Sequence, residues 1–345
     1  MKWAWPLLLL VWMGWVAAAE RPLPATSPTL TPSSSHVDVL FAGDTALHGP
    51  AGESIRRGRD PLQPFAALFK QADVRLLNLE SVIAEGGKAQ PKFYTFRAHP
   101  RVLPTLKRHV DGVMLANNHS GDYGHAAFAQ MLGLLHTHGL AYAGGGMNLA
   151  QAHRPWVIER HGLRIAILSY NEFMPRSYEA TADTPGVAWS EDLQVIDDIL
   201  HAKHTLRADV VLPVMHWGWE NEPVANARQQ QLARRMIDAG ADAVIGGHPH
   251  VTQNIEIYQG KPIIYSVGNF VMRETDNPAQ RKGWIVRLRF GPNGAQAFDT
   301  HALQLDRQGL PHPLPTQATP CWSSGWDQPR ACLPRPDFMP LRTTP

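Results

Sequence analysis

The sequence predicts an α/β protein whose sheets are rich in parallel strands and covered by helices. Short apolar runs of strand length recur along most of the chain, at 37–42, 74–78, 112–116, 163–170, 209–215, 242–245, 262–267 and 284–290. Runs that are apolar almost throughout are typical of strands buried on both faces. Helix-like amphipathic stretches separate the earlier runs, and this alternation indicates parallel strands joined by crossover helices.

Four of these stretches are predicted to be helices, at 61–72, 124–139, 191–207 and 226–240. The apolar runs after residue 240 are joined by shorter connections. Because parallel strands need a long crossover, short connections favour an antiparallel portion near the end of the sheets.

The composition is that of a globular protein and argues against nucleic-acid binding. The 345 residues are 44% hydrophobic and 18% charged, enough for one large or two modest domains with a buried core. The formal net charge is only +2, from 32 basic and 30 acidic residues, and no run of lysines or arginines stands out. We therefore do not expect a nucleic-acid-binding protein.

The first residues have the pattern of a secretory signal peptide, predicted at 1–19. Lys2 precedes an apolar run from Trp3 to Val16, and small residues lead to a cleavage position after Ala19. The run is close to the ~20 residues that a membrane span needs, so an uncleaved N-terminal anchor is the alternative. We expect an exported protein, periplasmic or extracellular. The Pro/Ser/Thr-rich segment 20–36 is typical of an extended linker.

The main domain is predicted to occupy 37–306, followed by a Pro-rich, aperiodic tail at 307–345 that lies over the domain surface. The tail holds the two cysteines of the chain, Cys321 and Cys332. In an oxidising compartment we expect them to form a disulfide. No further cysteine can join them in a metal site, so their predicted role is structural.

Polar side chains suited to metal binding follow five of the predicted strands. They are Asp44, then Asn78 and Glu80, then Asn117, Asn118, His119 and Asp122, then His216 and Glu220, and finally His248 and His250. Taken singly, each has an ordinary explanation as a turn, capping or packing residue. Because sites form at the carboxyl ends of strands in α/β sheets, their coincidence predicts one shared site. Carboxylates, an amide oxygen and imidazoles suit Zn, Mn or Fe, often as a pair of ions that share a carboxylate.

These motifs carry a resemblance to a known family. The segments "GDTAL", "NLES", "YTFRAHP", "ANNHSGDYG", "MHWGWE", "GGHPHVTQ" and "IIYSVGNFV" occur in order over about residues 37–290. In this the chain resembles the CapA, or poly-γ-glutamate capsule synthesis, family, and more broadly the metallophosphoesterase superfamily. The resemblance implies two packed mixed β-sheets flanked by helices, an αββα sandwich with a metal site at one edge.

The resemblance also implies residue roles and the chemistry of the site. The implied metal ligands, for one or two divalent ions, are Asp44, Glu80, Asn118, His216, His248 and His250. His119 takes the position of the histidine that protonates a leaving group, and Asp122 would orient it. Candidate substrate-binding residues are Arg97, Glu220 and Asn269, each with a surface, packing or turn role as the alternative.

Two departures from the superfamily pattern bear on the number of metal ions. The first motif reads Asp44-Thr45-Ala46, so the histidine of the D-x-H pattern is missing, and His48 lies too far along the chain to replace it. Glu80 stands where the superfamily uses aspartate. The number of ions, one or two, is therefore open.

Three functions are compatible with these residues. The first is an exported metal-dependent hydrolase in which activated water attacks a γ-glutamyl or related cell-envelope polymer, or a phosphoester. The second is a polymer-binding or transport component of a capsule assembly machine without turnover. The third is a structural or binding protein on a decayed enzyme fold. The expected partners are an anionic cell-envelope polymer and membrane-bound capsule synthesis proteins.

Overall fold

The computed structural model describes Met1, residues 36–273 and residues 277–333. The predicted signal peptide beyond Met1, nearly all of the predicted linker and the end of the tail lie outside the described residues. The chain divides into two compact units, Met1–Ser33 and Ser34–Pro345, and every described residue except Met1 belongs to the second.

The strands of the described ranges are β1 (Val37–Thr45), β2 (Val74–Leu79), β3 (Val82–Ile83), β4 (Arg97–Ala98), β5 (Gly112–Met114), β6 (Ala141–Ala143), β7 (Gly145–Gly146), β8 (Trp156–Arg160), β9 (Leu163–Asn171), β10 (Gly186–Val187), β11 (Val210–His216), β12 (Val244–Gly247), β13 (Ile255–Tyr258), β14 (Lys261–Ile264), β15 (Asn269–Val271), β16 (Lys282–Gly291), β17 (Gly294–Leu305), β18 (Pro311–Pro313), β19 (Thr319–Ser323) and β20 (Arg330–Cys332).

The α-helices are α1 (Gly49–Arg56), α2 (Ala66–Phe69), α3 (Leu103–His109), α4 (Gly124–Thr137), α5 (Leu149–Ala152), α6 (Asp192–Leu200) and α7 (Ala227–Asp238). A π-helical turn, His201–Thr205, extends α6. Among the residues described, none of these helices combines the length and the apolar character that crossing a bilayer requires.

Two mixed sheets form the centre of the protein. The first has the order β20-β19-β17-β16-β1-β2-β5-β6, with β15 also pairing with β1 and β18 with β17. The second has the order β13-β14-β12-β11-β9-β8. In each sheet a parallel core, β1-β2-β5-β6 or β9-β11-β12-β14, is flanked by antiparallel strands. The predicted α/β class with two mixed sheets is confirmed.

The side chains of β1 show how the layers are held together. Val39 and Phe41 point into an apolar layer that also contains Ile165 of β9 and Leu212 of β11, so this layer joins the two sheets. Leu40, between them, belongs to a second cluster with residues of helices α1 to α4. A third cluster packs α6 and α7 on the far face of the second sheet. Alternating side chains of fully buried strands thus build a four-layer αββα sandwich.

The layering brings the carboxyl ends of strands from both sheets together. Asp44 lies near the end of β1 and His216 is the last residue of β11. His248 directly follows β12, yet its backbone N–H donates to Asp44 Oδ2 at 3.0 Å. The edge on which the sequence placed its polar residues is therefore shared by the two sheets.

The described part of the predicted tail forms strands that join the first sheet. Residues 311–332 add β18, β19 and β20 to the edge of the first sheet, and Cys321 is disulfide-bonded to Cys332 across β19 and β20. Trp322 is buried in the layer between the sheets and stacks on Phe298 of β17. Short strands rich in proline and polar residues carry little apolar period, so the sequence pattern did not reveal them.

Gly246 of β12 tests the packing of this edge. A Cβ on Gly246 would lie 2.0 Å from the Tyr265 carbonyl oxygen and 2.4 Å from Trp217 Nε1. We expect Gly246→Ala to lower the free energy of unfolding by about 3 kcal/mol, since the obstructing atoms include backbone. As a control, Gly133→Ala at an exposed position of helix α4 meets nothing within 4 Å. This change should raise the free energy of unfolding by up to about 1 kcal/mol. Denaturant unfolding measures both, and a neutral Gly246→Ala would contradict the packing.

Candidate metal centre

The Gly-Gly-His-Pro-His turn after β12 holds two imidazoles in a strained backbone. His248 and His250 have φ values of 92° and 58°, in the left-handed region. Such conformations cost a non-glycine residue about 1–3 kcal/mol and cluster at functional sites. Gly247 is required beside them because a Cβ there would lie 2.6 Å from Asp44 Oδ1. The turn therefore brings β12 against the end of β1 and directs both histidines to that point.

Three buried side chains, of Glu80, Asn118 and His248, surround Nε2 of His216. Nε2 of His216 lies 2.8 Å from Asn118 Oδ1. The same nitrogen lies 3.2 Å from His248 Nδ1 and 3.4 Å from Glu80 Oε1. Ligands bound to one cation at about 2.0–2.2 Å are spaced roughly 3 Å apart. Glu80, His216 and His248 can therefore hold a metal ion, with Asn118 as a fourth ligand.

A second set of possible ligands shares Glu80 with the first. It consists of Asp44, Glu80 and His250. Nδ1 of His250 lies 3.4 Å from Asp44 Oδ2, and its Nε2 lies 3.8 Å from Glu80 Oε1. Asn269 Oδ1 accepts a hydrogen bond from His250 Nδ1 at 2.8 Å, which leaves Nε2 as the lone-pair nitrogen. The shared Glu80 is thus placed to bridge two cations.

Glu80 shows most directly that the residues fit a cation. It is completely buried, and neither of its oxygens has a hydrogen-bond partner. The neighbouring imidazole nitrogens, at 3.4 and 3.8 Å, are beyond normal hydrogen-bond length. Because a buried carboxylate without hydrogen-bond donors is costly, this donor set suits a divalent cation.

The electrostatics of the site follow from burial and close charges. Burial acts to raise the pKa of Asp44, but the hydrogen bond with His250 and the charges of His216 and His250 together lower it. Burial acts to lower the pKa of His250, yet Glu80 and Asp44 raise it to about 10. Burial, then the charges of His216 and His250, hold the pKa of His248 well below its usual value. Asp44 is therefore ionised and His248 neutral, as ligation requires, whereas His250 must lose a proton to ligate.

Beside the ligand sets lies a hydrogen-bonded pair, His119 and Asp122. His119 Nδ1 is 2.7 Å from Asp122 Oδ2, and both side chains are buried. Asp122 also accepts from the backbone N–H of Phe96 at 2.6 Å and from Lys92 Nζ at 2.6 Å. Lys92 Nζ reaches the carbonyl oxygen of Asn118 as well, at 2.7 Å. The histidine is thereby fixed in one orientation next to a candidate ligand.

The missing histidine of the first motif is not replaced by His48. Its ring stacks on Phe96, with ring centroids 4.5 Å apart, and Phe96 stacks in turn on His119 at 4.1 Å. His48 belongs to neither candidate ligand set. Asp44, Glu80 and His250 nevertheless form a three-ligand set without it, so the second position does not depend on a D-x-H histidine.

The three candidate substrate-binding residues lie in different surroundings. Arg97, half-buried in β4, donates to the Gly86 carbonyl oxygen at 3.0 Å and lies over the Tyr123 ring at 4.4 Å. Glu220 is exposed, and its charge contributes to the raised pKa of His250. Asn269 is fully buried. Its Oδ1 accepts from His250 Nδ1, and its Nδ2 donates to the Gln280 carbonyl oxygen. The hydrogen bond with Asn269 therefore positions His250, a candidate metal ligand. Substrate binding by Arg97, Glu220 and Asn269 stays a prediction.

Supporting residues were not assigned roles from the sequence. Asn78 Nδ2 donates to Asp44 Oδ1 at 2.8 Å and lies 3.2 Å from His216 Nδ1. Asn117 Nδ2 donates to Asn78 Oδ1 at 3.1 Å. In the sequence, the position of Asn78 and Asn117 directly after predicted strands was the signal that could have indicated these supporting roles. Lys92, in a loop between β3 and β4, gave none because its partner Asp122 is 30 residues away.

The fold and the site define an αββα protein with buried carboxylates and imidazoles arranged for divalent cations. A family model described as "Bacterial capsule synthesis protein PGA_cap" matches residues 38–274, and the chain belongs to this family. The resemblance inferred from the sequence motifs is confirmed.

Individual proteins show the same relationship. The chain is 30% identical over 307 residues to "PGA biosynthesis protein CapA" of Bacillus subtilis (strain 168), covering 87% of this chain and 78% of the relative. It is 31% identical over 323 residues to "Capsule biosynthesis protein CapA" of Bacillus anthracis, covering 89% and 75%. The NAD nucleotidase of Haemophilus influenzae aligns with a TM-score of 0.47 and 10% identity over 81% of this chain and 60% of that chain.

Metal content distinguishes the two ligand sets. Glu80→Gln preserves shape but removes the charge common to both sets, so we expect bound metal to fall to near zero. His248→Ala and His250→Ala each remove a ligand from one set and should each lose about one equivalent. Metal per chain after dialysis, measured by mass spectrometry, gives the result. Exposed Glu222→Gln is the control, and unchanged metal in Glu80→Gln would refute the assignment.

The strained turn makes a separate prediction about stability. Glycine tolerates a φ of 92°, so metal-free His248→Gly should be more stable than His248→Ala by about 1 kcal/mol. At His216, in regular strand β11, the order should reverse because glycine weakens a strand. Urea unfolding of the four variants compares them. The same order at both positions would argue against strain in the turn.

Proposed function

We propose that the protein is an exported, metal-dependent hydrolase that acts in the synthesis or processing of a capsule polymer, poly-γ-glutamate or a related cell-envelope polymer. Membership of the bacterial capsule synthesis family supports a role in capsule formation. Two relatives are named for PGA or capsule biosynthesis, which supports the polymer class. The signal-like residues 1–19 support export to the periplasm or the cell exterior.

The observation that carries the hydrolase proposal is the buried, unpaired Glu80 shared by two ligand sets. The residues that would hold the cations are Asp44, Glu80, Asn118, His216, His248 and His250. A divalent cation in such a site supplies Lewis acidity, which polarises a substrate oxygen and lowers the pKa of water towards ~7. The choice among Zn, Mn and Fe remains part of the proposal.

His119 and Asp122 supply the proton transfer. Because Asp122 accepts from Nδ1, that nitrogen carries a proton and Nε2 is the atom available to the substrate. Protonated at both nitrogens, His119 donates from Nε2 to the leaving group as the bond breaks. The ring stacks on Phe96, which limits its rotation. Asp122 therefore acts through His119 as a positioning residue.

The substrate side of the proposal rests on charge. Arg97 is half-buried, with its guanidinium over the Tyr123 ring. A guanidinium held in this way suits a substrate carboxylate or phosphate, because its planar donors match two oxygens. We propose this role for Arg97, and a place at the rim of the site for exposed Glu220.

Removal of His119 tests the mechanism. His119→Ala is expected to lower kcat by about 10²–10⁴-fold, the usual contribution of a general acid, with bound metal unchanged. The full chain is assayed on a γ-glutamyl polymer and on an aryl phosphate, alongside metal analysis. His136→Ala, an exposed histidine in α4, is the matched control and should behave as the unmodified protein.

The same assay separates the competing functions. Turnover of the aryl phosphate alone would replace the polymer hydrolase by a phosphoesterase. Polymer binding and bound metal without turnover of either compound would instead identify a binding or transport component. Turnover that survives His119→Ala at full rate would remove the assigned general acid.

A further inference from the structure

A second, basic cleft lies outside the candidate metal centre, where α1 begins. Its volume is about 560 Å³, within the range of about 300–1,000 Å³ that is usual for ligand sites. We call it the arginine cleft. Its charged lining consists of Arg57, Arg59, Arg273, Arg307 and Glu53.

The arginine cleft concentrates positive charge. Four guanidinium groups and one carboxylate give it a formal charge of +3, more than the net +2 of the whole chain. Glu53 is already engaged, since Arg56 lies 2.6 Å and Arg57 2.7 Å from its oxygens. The one acidic side chain of the lining is therefore shared between Arg56 and Arg57.

Two of the arginines are available to a ligand. Within residues 36–273 and 277–333, the side chains of Arg59 and Arg307 have no ion-pair partner, and both are exposed. Asp306 is next to Arg307 in the chain, but its Oδ1 accepts hydrogen bonds from the backbone N–H groups of Gln308 and Leu310. Exposed guanidinium groups that converge on one cleft repel one another, and an anion between them removes that repulsion.

Helix α1 adds to the same potential. Gly49 and Pro50 line the cleft, so the amino end of α1 opens into it. The N-cap residue His48 makes no side-chain capping bond, and the first turn contains no acidic residue. The uncapped N–H groups and the helix dipole therefore favour an anion at this position.

The arginine cleft also lies close in the chain and in space to the candidate active site. Gly49 follows His48, whose ring stacks on Phe96, and Phe96 stacks on His119. Asp44 precedes Gly49 by five residues, at the end of β1. The rings of His48 and Phe96 thus lie between the amino end of α1 and the proposed general acid.

We propose that the arginine cleft binds a run of carboxylates on an extended polyanionic chain. This rests on the proposed function, in which the substrate is an acidic polymer. Each guanidinium offers a planar pair of donors to a carboxylate, so successive acid groups fit successive arginines. A chain held at a second point along its length gains affinity without any change at the reacting bond.

Binding without turnover tests the proposal. The full chain, stripped of metal with a chelator, is titrated with a fluorescently labelled γ-glutamyl oligomer. The double variant Arg59→Gln/Arg307→Gln is expected to bind about tenfold more weakly, with a shallower salt dependence. The control Arg154→Gln/Arg160→Gln removes the same charge from exposed positions near β8 and should bind as the unmodified protein does.

The outcomes separate this site from the hydrolase. Unchanged affinity in Arg59→Gln/Arg307→Gln, or an equal loss in the control, would overturn the site, whatever the activity of His119→Ala. Tighter binding of inorganic polyphosphate than of the γ-glutamyl oligomer would overturn the carboxylate assignment. Weaker binding confined to Arg59→Gln/Arg307→Gln would support the cleft even if no turnover is found.

Discussion

A buried carboxylate without a hydrogen-bond donor is the constraint on which the rest of the site depends. Glu80 directly follows β2 and is fully excluded from solvent, among the imidazoles of His216, His248 and His250. Left alone, such a group destabilises the fold by several kcal/mol. The arrangement becomes favourable when a cation lies between the carboxylate and the imidazole nitrogens. For this reason we infer that the site binds metal.

The scaffold holds this arrangement with a strained turn and buried polar side chains. The turn after β12 places two non-glycine residues at positive φ, and Gly247 leaves room for the Asp44 carboxylate. Amide side chains then fix the ligands, with Asn78 on Asp44 and Asn269 on His250. Strain and buried polar groups of this kind persist where the surrounding structure over-determines them. Here the two packed sheets supply that rigidity.

The sequence predicted the elements in which apolar side chains form clear runs. It did not predict contacts between residues that are far apart in the chain. Nearly continuous apolar runs located the central strands, and polar residues at their ends located the candidate ligands. The strands within 307–333 were missed, because buried Trp322 stands in a segment rich in proline and polar residues, with no apolar period around it. Lys92 was missed because only tertiary structure brings it to Asp122. The role of Asn269 as a support for His250 likewise depends on the pairing of β15 with β1.

The position of bound metal is the most direct measurement of the central claim. Crystals of the full chain loaded with Mn²⁺ should show two anomalous-scattering peaks about 3.5–4 Å apart, the usual spacing of ions that share a carboxylate. Both peaks should contact Glu80, one beside His216 and His248 and the other beside Asp44 and His250. Peaks elsewhere, or none at Glu80, would contradict the account.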